Sequence, residues 1–144
     1  MLLEDYGPIG DLESAALVGF LPGDDERVTG TIDAVWRELG RDGFVSRYST
    51  AVTDDGLPGD EGQFLACSLW LVNALARNGR VDEARALVER LAGLANELCL
   101  LAEECDVARR RQVGSVPQAF SHLTLTLATR AISTAEAPIE PVRG

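Results

Sequence analysis

Three acidic residues surround one cysteine in residues 100–106, which read LLAEECD. Glu103 and Glu104 are adjacent, and Asp106 follows Cys105. Paired carboxylates are the groups that general acid–base catalysis uses, but acids are equally at home in solvated turns between helices. Apolar residues precede this segment and a basic, turn-like run follows it, so the residue types alone leave both interpretations open.

Other reactive side chains are few. The chain has one histidine, His122, and three cysteines, Cys67, Cys99 and Cys105. The odd number and the spacings match no zinc or CxxC pattern, so we expect reduced thiols, no metal and no cofactor. A Ser-His-Asp triad would depend on His122 alone. On an inner helix face, such a histidine is more often a hydrogen-bonded core residue than a catalyst.

Composition limits the class of protein. The 144 residues suit one domain, and 46% of them are hydrophobic, which is enough for a core. The net charge of −10 argues against nucleic acid and against an anionic membrane surface as partners. The longest apolar run, residues 64–76, is too short to span a bilayer, and no signal peptide pattern opens the chain. We expect a cytoplasmic protein.

Apolar spacing predicts an all-α fold. Residues 61–77 are apolar nearly all round, as in a buried helix, whereas residues 82–98 carry one apolar stripe and one charged face, as in an outer helix. The expected architecture alternates inner and outer antiparallel helices. Predicted helices cover residues 11–20, 25–39, 61–77, 82–98 and 118–133, and residues 135–144 are expected to be a frayed tail.

Two long segments interrupt this helical pattern. Residues 42–63 hold several glycines and β-branched residues and read as extended and irregular, and residues 100–118 contain the acidic cluster. Each segment precedes a helix of the inner type. We therefore expect both to emerge at one end of the helical array, where carboxylates and polar ligands could gather.

Several motifs, in this order, resemble the C-terminal part of glycoside hydrolase family 15, which contains glucoamylases, glucodextranases and bacterial trehalases. They are LVGFLPGDDERVTGTIDAVWREL, RYSTAVTDDGLPGDEGQFLACSLWLVNALARNGRVDEARALVERL and LLAEECD…QVGSVPQAFSHL. The bacterial trehalase-like branch is the best match, and the resemblance covers about residues 12–132. It implies that residues 1–134 are the C-terminal portion of an (α/α)6 toroid, a ring of inner and outer helices.

The resemblance also implies roles for particular residues. Family 15 enzymes use two glutamates to hydrolyse α-glucosides with inversion at the anomeric carbon. Their general base lies in a loop of pattern L-x-E-[QE]-[YF]-D, and Glu103 falls on that position. Glu104 and Arg47 fall on positions that contact sugar, and Phe120 falls on an aromatic position near it. Cys105 stands where the family has an aromatic residue.

Structural alternatives accompany two of these assignments. Arg47 could instead pair with one of the acids in the loop, Asp54, Asp55 or Asp60. Glu61 is a further candidate for substrate contact, but Glu61 and Asp60 could simply cap the helix predicted at residues 61–77.

The general acid lies in the N-terminal half of the family's toroid, so this chain is expected to carry the base without the acid. The sequence thus predicts a fragment of an inverting hydrolase for an α-glucoside such as trehalose or maltodextrin, inactive alone. Such a fragment would expose apolar faces and would self-associate, pair with a complementary N-terminal half, or fold poorly. The alternative is a non-catalytic helical-repeat interaction module.

Overall fold

The computed structural model describes residues 21–47 and 62–137, and it confirms the all-α class with a few short strands added. The segment predicted as a helix at residues 11–20 lies outside the described residues. The four helices are α1 (Glu26–Leu39), α2 (Leu65–Arg77), α3 (Val81–Ala92) and α4 (Ala119–Glu136). The strands are β1 (Gly40–Arg41), β2 (Phe44–Val45), β3 (Gln63–Phe64), β4 (Glu104–Asp106) and β5 (Arg111–Val113).

Helix α2 is the inner helix, as its apolar sequence predicts. Every residue from Leu65 to Ala76 except Trp70 is buried, and α2 packs against α1, α3 and most extensively α4. Its buried polar side chains are satisfied, as burial requires. The Ser68 hydroxyl accepts the Val45 N–H at 2.9 Å, and the Asn73 amide oxygen accepts from the Arg77 guanidinium at 2.8 Å.

Helix α3 is amphipathic and lies outside α2, also as predicted, but its predicted end at residue 98 is wrong. Its buried stripe is Ala84, Leu87, Val88 and Leu91, and the helix ends at Ala92. Apolar residues continue at helical spacing to Leu94, and for this reason the sequence predicts a longer helix. Past Gly93 the backbone turns, because the Asn96 side-chain oxygen accepts the N–H groups of Leu98 and Leu100, each at 3.0 Å.

The start of α2 also differs from the prediction. The helix begins at Leu65 with Phe64 as its N-cap, so the predicted start at residue 61 is wrong, and the two acids considered as caps, Asp60 and Glu61, lie outside the described residues. The physical reason is that residues 63–64 are held extended by pairing with β4. By contrast α1 begins as predicted, with the Asp25 carboxylate accepting the Arg27 N–H at 2.9 Å.

Two small antiparallel sheets occupy the segments expected to be irregular. Strands β1 and β2 form a hairpin, and β3, β4 and β5 form a sheet in that order. In the second sheet Gln63 pairs with Cys105 and Phe64 with Glu104. The two long segments therefore meet at the N-terminus of the inner helix α2, as predicted, although through strands that the sequence pattern did not indicate.

Helix α4 runs to Glu136, three residues beyond its predicted end, and residues 138–144 lie outside the described residues. One face of this region stays exposed and apolar. Leu123 and Leu127, one helical turn apart on α4, are 57% and 46% exposed. We call these two residues the α4 stripe. Across residues 21–47 and 62–137, no helix is both long and apolar enough to cross a membrane.

The core makes a direct prediction about stability. Leu91 is fully buried between helices, so Leu91→Ala should lower the free energy of unfolding by about 2–5 kcal/mol. Leu98, 76% exposed, offers the matched control, and Leu98→Ala should change it by no more than about 0.5 kcal/mol. Urea unfolding followed by circular dichroism measures both, and equal losses would contradict the packing described here.

Candidate active site

The candidate site is assembled around Glu103, which lies immediately before β4. Its carbonyl oxygen accepts the N–H of Leu65, the first residue of α2, at 3.1 Å. Its own N–H donates to the Ser115 carbonyl oxygen, also at 3.1 Å. Both backbone groups of Glu103 are therefore used, one toward the inner helix and one toward the segment that leads into α4.

The Glu103 side chain lies against Gly114. A Cβ added at Gly114 would stand 3.0 Å from Glu103 Cβ and 3.1 Å from its Oε2 atom. Gly114 also has φ of +80°, a conformation that side chains with a Cβ rarely adopt. Glycine is thus required here twice, for the backbone turn and for the space that the half-buried Glu103 occupies.

A second glycine makes room for the neighbouring acid. A Cβ added at Gly62 would lie 2.7 Å from Glu104 Oε2 and 3.0 Å from Val113 Cγ2. Gly62 directly precedes β3, so the close approach follows from the pairing of β3 with β4. The two adjacent glutamates each rest on a glycine from a different segment, and this arrangement fixes them on different sides of the strand.

A cleft of about 560 Å³ opens beside the three-stranded sheet. Arg47 and Glu104 contribute to its lining, whereas Glu103 and Phe120 are not among the described residues that line it. The structure therefore brings two of the predicted residues to one cleft and leaves the predicted base beside it. Charged side chains of both signs line the cleft: Arg41, Arg47, Arg109, Arg111, Asp42, Glu104 and Asp106.

Asp106 is engaged with the basic run that follows it. Its carboxylate accepts from the Arg109 guanidinium at 2.9 Å and from the Arg109 N–H at 3.0 Å, and Arg111 lies 3.7 Å away. These hydrogen bonds, chiefly the side-chain one, lower the pKa of Asp106. Asp106, the last residue of β4, therefore has Arg109 and Arg111 as its counter-charges.

Cys105 lies between the two acidic positions of β4 and is 1% exposed. Burial, and to a lesser extent the charge of Asp106, raises the pKa of its thiol, which therefore stays protonated. Cys105 packs in the hydrophobic core as a small apolar side chain. Cys105 therefore has a structural role. Successive side chains of a strand point to opposite faces, so the residue between two outward carboxylates points inward.

Three aromatic rings of this region, Phe64, Trp70 and Phe120, are in contact through Phe120. Phe120 meets Trp70 edge-on at 5.5 Å between ring centroids and is tilted against Phe64 at 6.3 Å. The Arg47 guanidinium lies over the Phe64 ring, 5.8 Å from its centroid. A chain of contacts therefore links Arg47 through Phe64 to Phe120. Glu61 and the acids proposed as alternative partners of Arg47 lie outside the described residues.

Sequence reasoning missed several residues of this site. Gly62, Gly114, Gln112 and Ser121 all contact the acidic segment or its backbone, and only the glycines carried a signal, since glycine beside an acidic cluster suggests a close approach. His122 was expected to be hydrogen-bonded rather than catalytic, and its Nε2 atom accepts the Leu101 N–H at 3.1 Å. Among the described residues, no group of three or more His, Cys, Asp or Glu side chains could hold a metal ion.

Known structures place this architecture in a class. A solved structure described as "Glycosidase Y48F" shares the fold, with a TM-score of 0.73 over 90% of this chain and 37% of that one, at 22% identity. The helices form part of an (α/α)6 toroid of inner and outer antiparallel helices, the predicted fold class. Residues 10–129 match the family model of "Glycosyl hydrolases family 15". The chain belongs to glycosyl hydrolase family 15.

Curated relatives agree with the family and show how much of it this chain spans. A trehalase of Mycolicibacterium smegmatis is 47% identical over 122 residues, which are 85% of this chain and 18% of the relative. A trehalase of Mycobacterium tuberculosis is 48% identical over 120 residues, again 18% of its length. One of Thermoplasma volcanium is 40% identical over 108 residues, 17% of its length. The chain thus spans less than a fifth of these relatives.

The contact between Gly114 and Glu103 can be tested against a second glycine. Gly114 and Gly79 both have positive φ, but a Cβ at Gly79 meets nothing within 4 Å. Gly79→Ala should therefore cost only the left-handed strain, about 1–2 kcal/mol, and Gly114→Ala should cost clearly more. Denaturant unfolding of both variants measures the difference, and equal costs would mean that Glu103 does not rest on Gly114.

Proposed function

We propose that this chain supplies the general base of an inverting family 15 glycosidase, and that Glu103 is that base. The observation that carries the proposal is the pairing of β3 with β4, which joins the segment bearing Arg47 to the segment bearing Glu103 and Glu104 at the N-terminus of an inner helix. The motif around Glu103 supports the role, and the family relationship supports the reaction.

The chemistry needs two carboxyl groups in different states. An inverting glycosidase uses a protonated acid at the leaving oxygen and an ionised base that activates water, about 6.5–9.5 Å apart so that the water fits between them. Glu103 is half-buried, its backbone fixed on both sides and its carboxylate resting over Gly114. A fixed but accessible carboxylate is what proton removal from water requires.

Glu104, Arg47 and Phe120 would bind the sugar. Glu104 and Arg47 line the cleft, and both side chains can hydrogen-bond hydroxyl groups. Phe120 is 40% exposed and supported edge-on by Trp70, which suits a ring that faces a sugar. Glu61 remains a further proposed contact from the sequence motif. The substrate would be an α-glucoside such as trehalose or maltodextrin, in keeping with relatives described as trehalases.

The general acid would come from the part of the family 15 domain that this chain does not span. With the base alone, the isolated chain should release no glucose from trehalose or maltose. In a chimera that carries this chain in place of the matching segment of the Mycolicibacterium smegmatis relative, activity should be present. Glu103→Gln in that chimera should then lower kcat by at least about 10²-fold, because water is no longer deprotonated.

A coupled glucose assay at saturating trehalose measures these rates, with Glu97→Gln as a matched exposed control that should retain full activity. An active chimera whose Glu103→Gln variant keeps the parent kcat would exclude Glu103 as the base. Glucose release by the isolated chain, abolished by Glu103→Gln, would exclude the need for an acid from elsewhere.

The α4 stripe supports an association as well. Its two apolar side chains are 57% and 46% exposed one turn apart, and covering them would bury surface that water disfavours. We assign the stripe to contact with the remainder of the family 15 domain, since the chain covers only 37% of the solved relative and a ring continues beyond its last inner helix. Self-association and the non-catalytic interaction module are the alternatives.

Charge placed in the stripe should break this contact. Leu123→Glu should abolish capture of this chain by the co-expressed remaining part of the Mycolicibacterium smegmatis relative, because a carboxylate would be buried against an apolar surface. Leu98→Glu changes a still more exposed leucine outside α4 and should leave capture unchanged. Affinity co-purification measures both. Capture that survives Leu123→Glu would show that the remainder binds elsewhere, and concentration-dependent homodimers lost in Leu123→Glu would favour self-association.

A further inference from the structure

The backbone that leads into Glu103 belongs to no helix or strand, yet all its polar groups in residues 100–102 are bonded. Leu101 and Ala102 are 1% and 0% exposed, so their N–H and C=O groups have no access to water and need protein partners. A buried segment of this kind would normally be paired with a neighbouring strand. Here side chains supply most of the partners.

Gln112, on β5, makes two of these bonds with one amide. Its Nε2 atom donates to the Leu100 carbonyl oxygen at 3.0 Å, and its Oε1 atom accepts the N–H of Ala102. The amide thus spans the segment as a strand residue would, with one donor and one acceptor used at once. Because Gln112 pairs with Cys105 across the sheet, this side chain also ties the segment to β4.

Residues at the start of α4 make further hydrogen bonds to this segment. His122 Nε2 accepts the Leu101 N–H at 3.1 Å. The Ser121 hydroxyl, 1% exposed, donates to the Ala102 carbonyl oxygen at 2.8 Å. The Gln118 N–H donates to the Leu101 carbonyl oxygen at 2.9 Å, which anchors the start of α4 to the same segment.

We propose that Gln112, Ser121 and His122 are positioning residues that hold the backbone before Glu103, and through it the Glu103 carboxylate, in its working place. The proposal rests on the proposed function of Glu103 as the general base. Glu103 directly follows Ala102, whose N–H is held by Gln112 and whose carbonyl oxygen is held by Ser121. A displacement of a base by about 1 Å costs about 10²-fold in rate, so the segment's rigidity has a direct catalytic consequence.

The test replaces the acceptor on His122 in the active chimera described above. His122→Leu removes the acceptor and should lower kcat per folded protein by about 10²-fold, with KM changed by no more than about threefold, because substrate contacts stay in place. His122→Gln can present a side-chain oxygen to the same N–H and should recover most of the lost kcat. Thr134→Val, about three turns along α4, removes a similar hydroxyl bond, to the Arg130 carbonyl oxygen, and should behave as the parent.

Hydrogen exchange gives a readout that does not depend on activity. The Leu101 amide should exchange faster in His122→Leu than in the parent or in His122→Gln, while the amides of α2 keep their protection. Near-ultraviolet circular dichroism supplies the folded fraction by which each rate is divided. Ser121→Ala should likewise lower kcat and speed exchange around Ala102 without changing the protection of α2.

Equal loss of kcat in His122→Leu and His122→Gln would overturn the proposal, because the acceptor would then not matter. An unchanged kcat in His122→Leu, with faster Leu101 exchange, would also overturn it, since the hydrogen bonds would then hold the segment without affecting catalysis. The assignment of Glu103 as the base is tested separately, by the kcat of Glu103→Gln in the same chimera. The two hypotheses therefore fail on different variants.

Discussion

The pairing of β3 with β4 is the interaction on which the rest of the site depends. Two residue pairs and the bond from the Leu65 N–H to the Glu103 carbonyl oxygen connect segments that are about 40 residues apart in the chain. Because β3 runs directly into α2, the acidic segment is attached to the most buried helix of the fold. The pairing therefore adds a link to α2 to the contacts that α4 and β5 make with residues 100–102.

Helix α2 gives this attachment its rigidity. A helix buried on nearly all sides cannot shift without opening cavities against its neighbours, and cavities are costly. Polar side chains on α2 extend the effect outward, since Ser68 holds β2 and Asn73 contacts the Leu127 carbonyl oxygen of α4. The segments at this end of the fold are thus positioned by the core as well as by one another.

Much of this arrangement could be predicted from the sequence. The buried and amphipathic characters of α2 and α3 follow from apolar periodicity, and the meeting of the two long segments follows from their places before inner helices. The short strands could not be predicted, because runs of two or three residues carry no period. The end of α3 was predicted too late because apolar residues continue at helical spacing. The chain turns there instead, since the Asn96 side-chain oxygen accepts N–H groups of the residues that follow it. The roles of Gln112 and Ser121 depend on tertiary contacts that no local pattern encodes.

The use of side chains to hold residues 100–102 has a consequence for how such a site can evolve. A strand paired through its backbone is insensitive to most substitutions, since every residue type except proline offers the same donor and acceptor. A segment held by one glutamine, one serine and one histidine can be loosened or moved by a single codon change, while the core that carries it stays intact. The position of the acidic segment can therefore change with little change in the rest of the sequence.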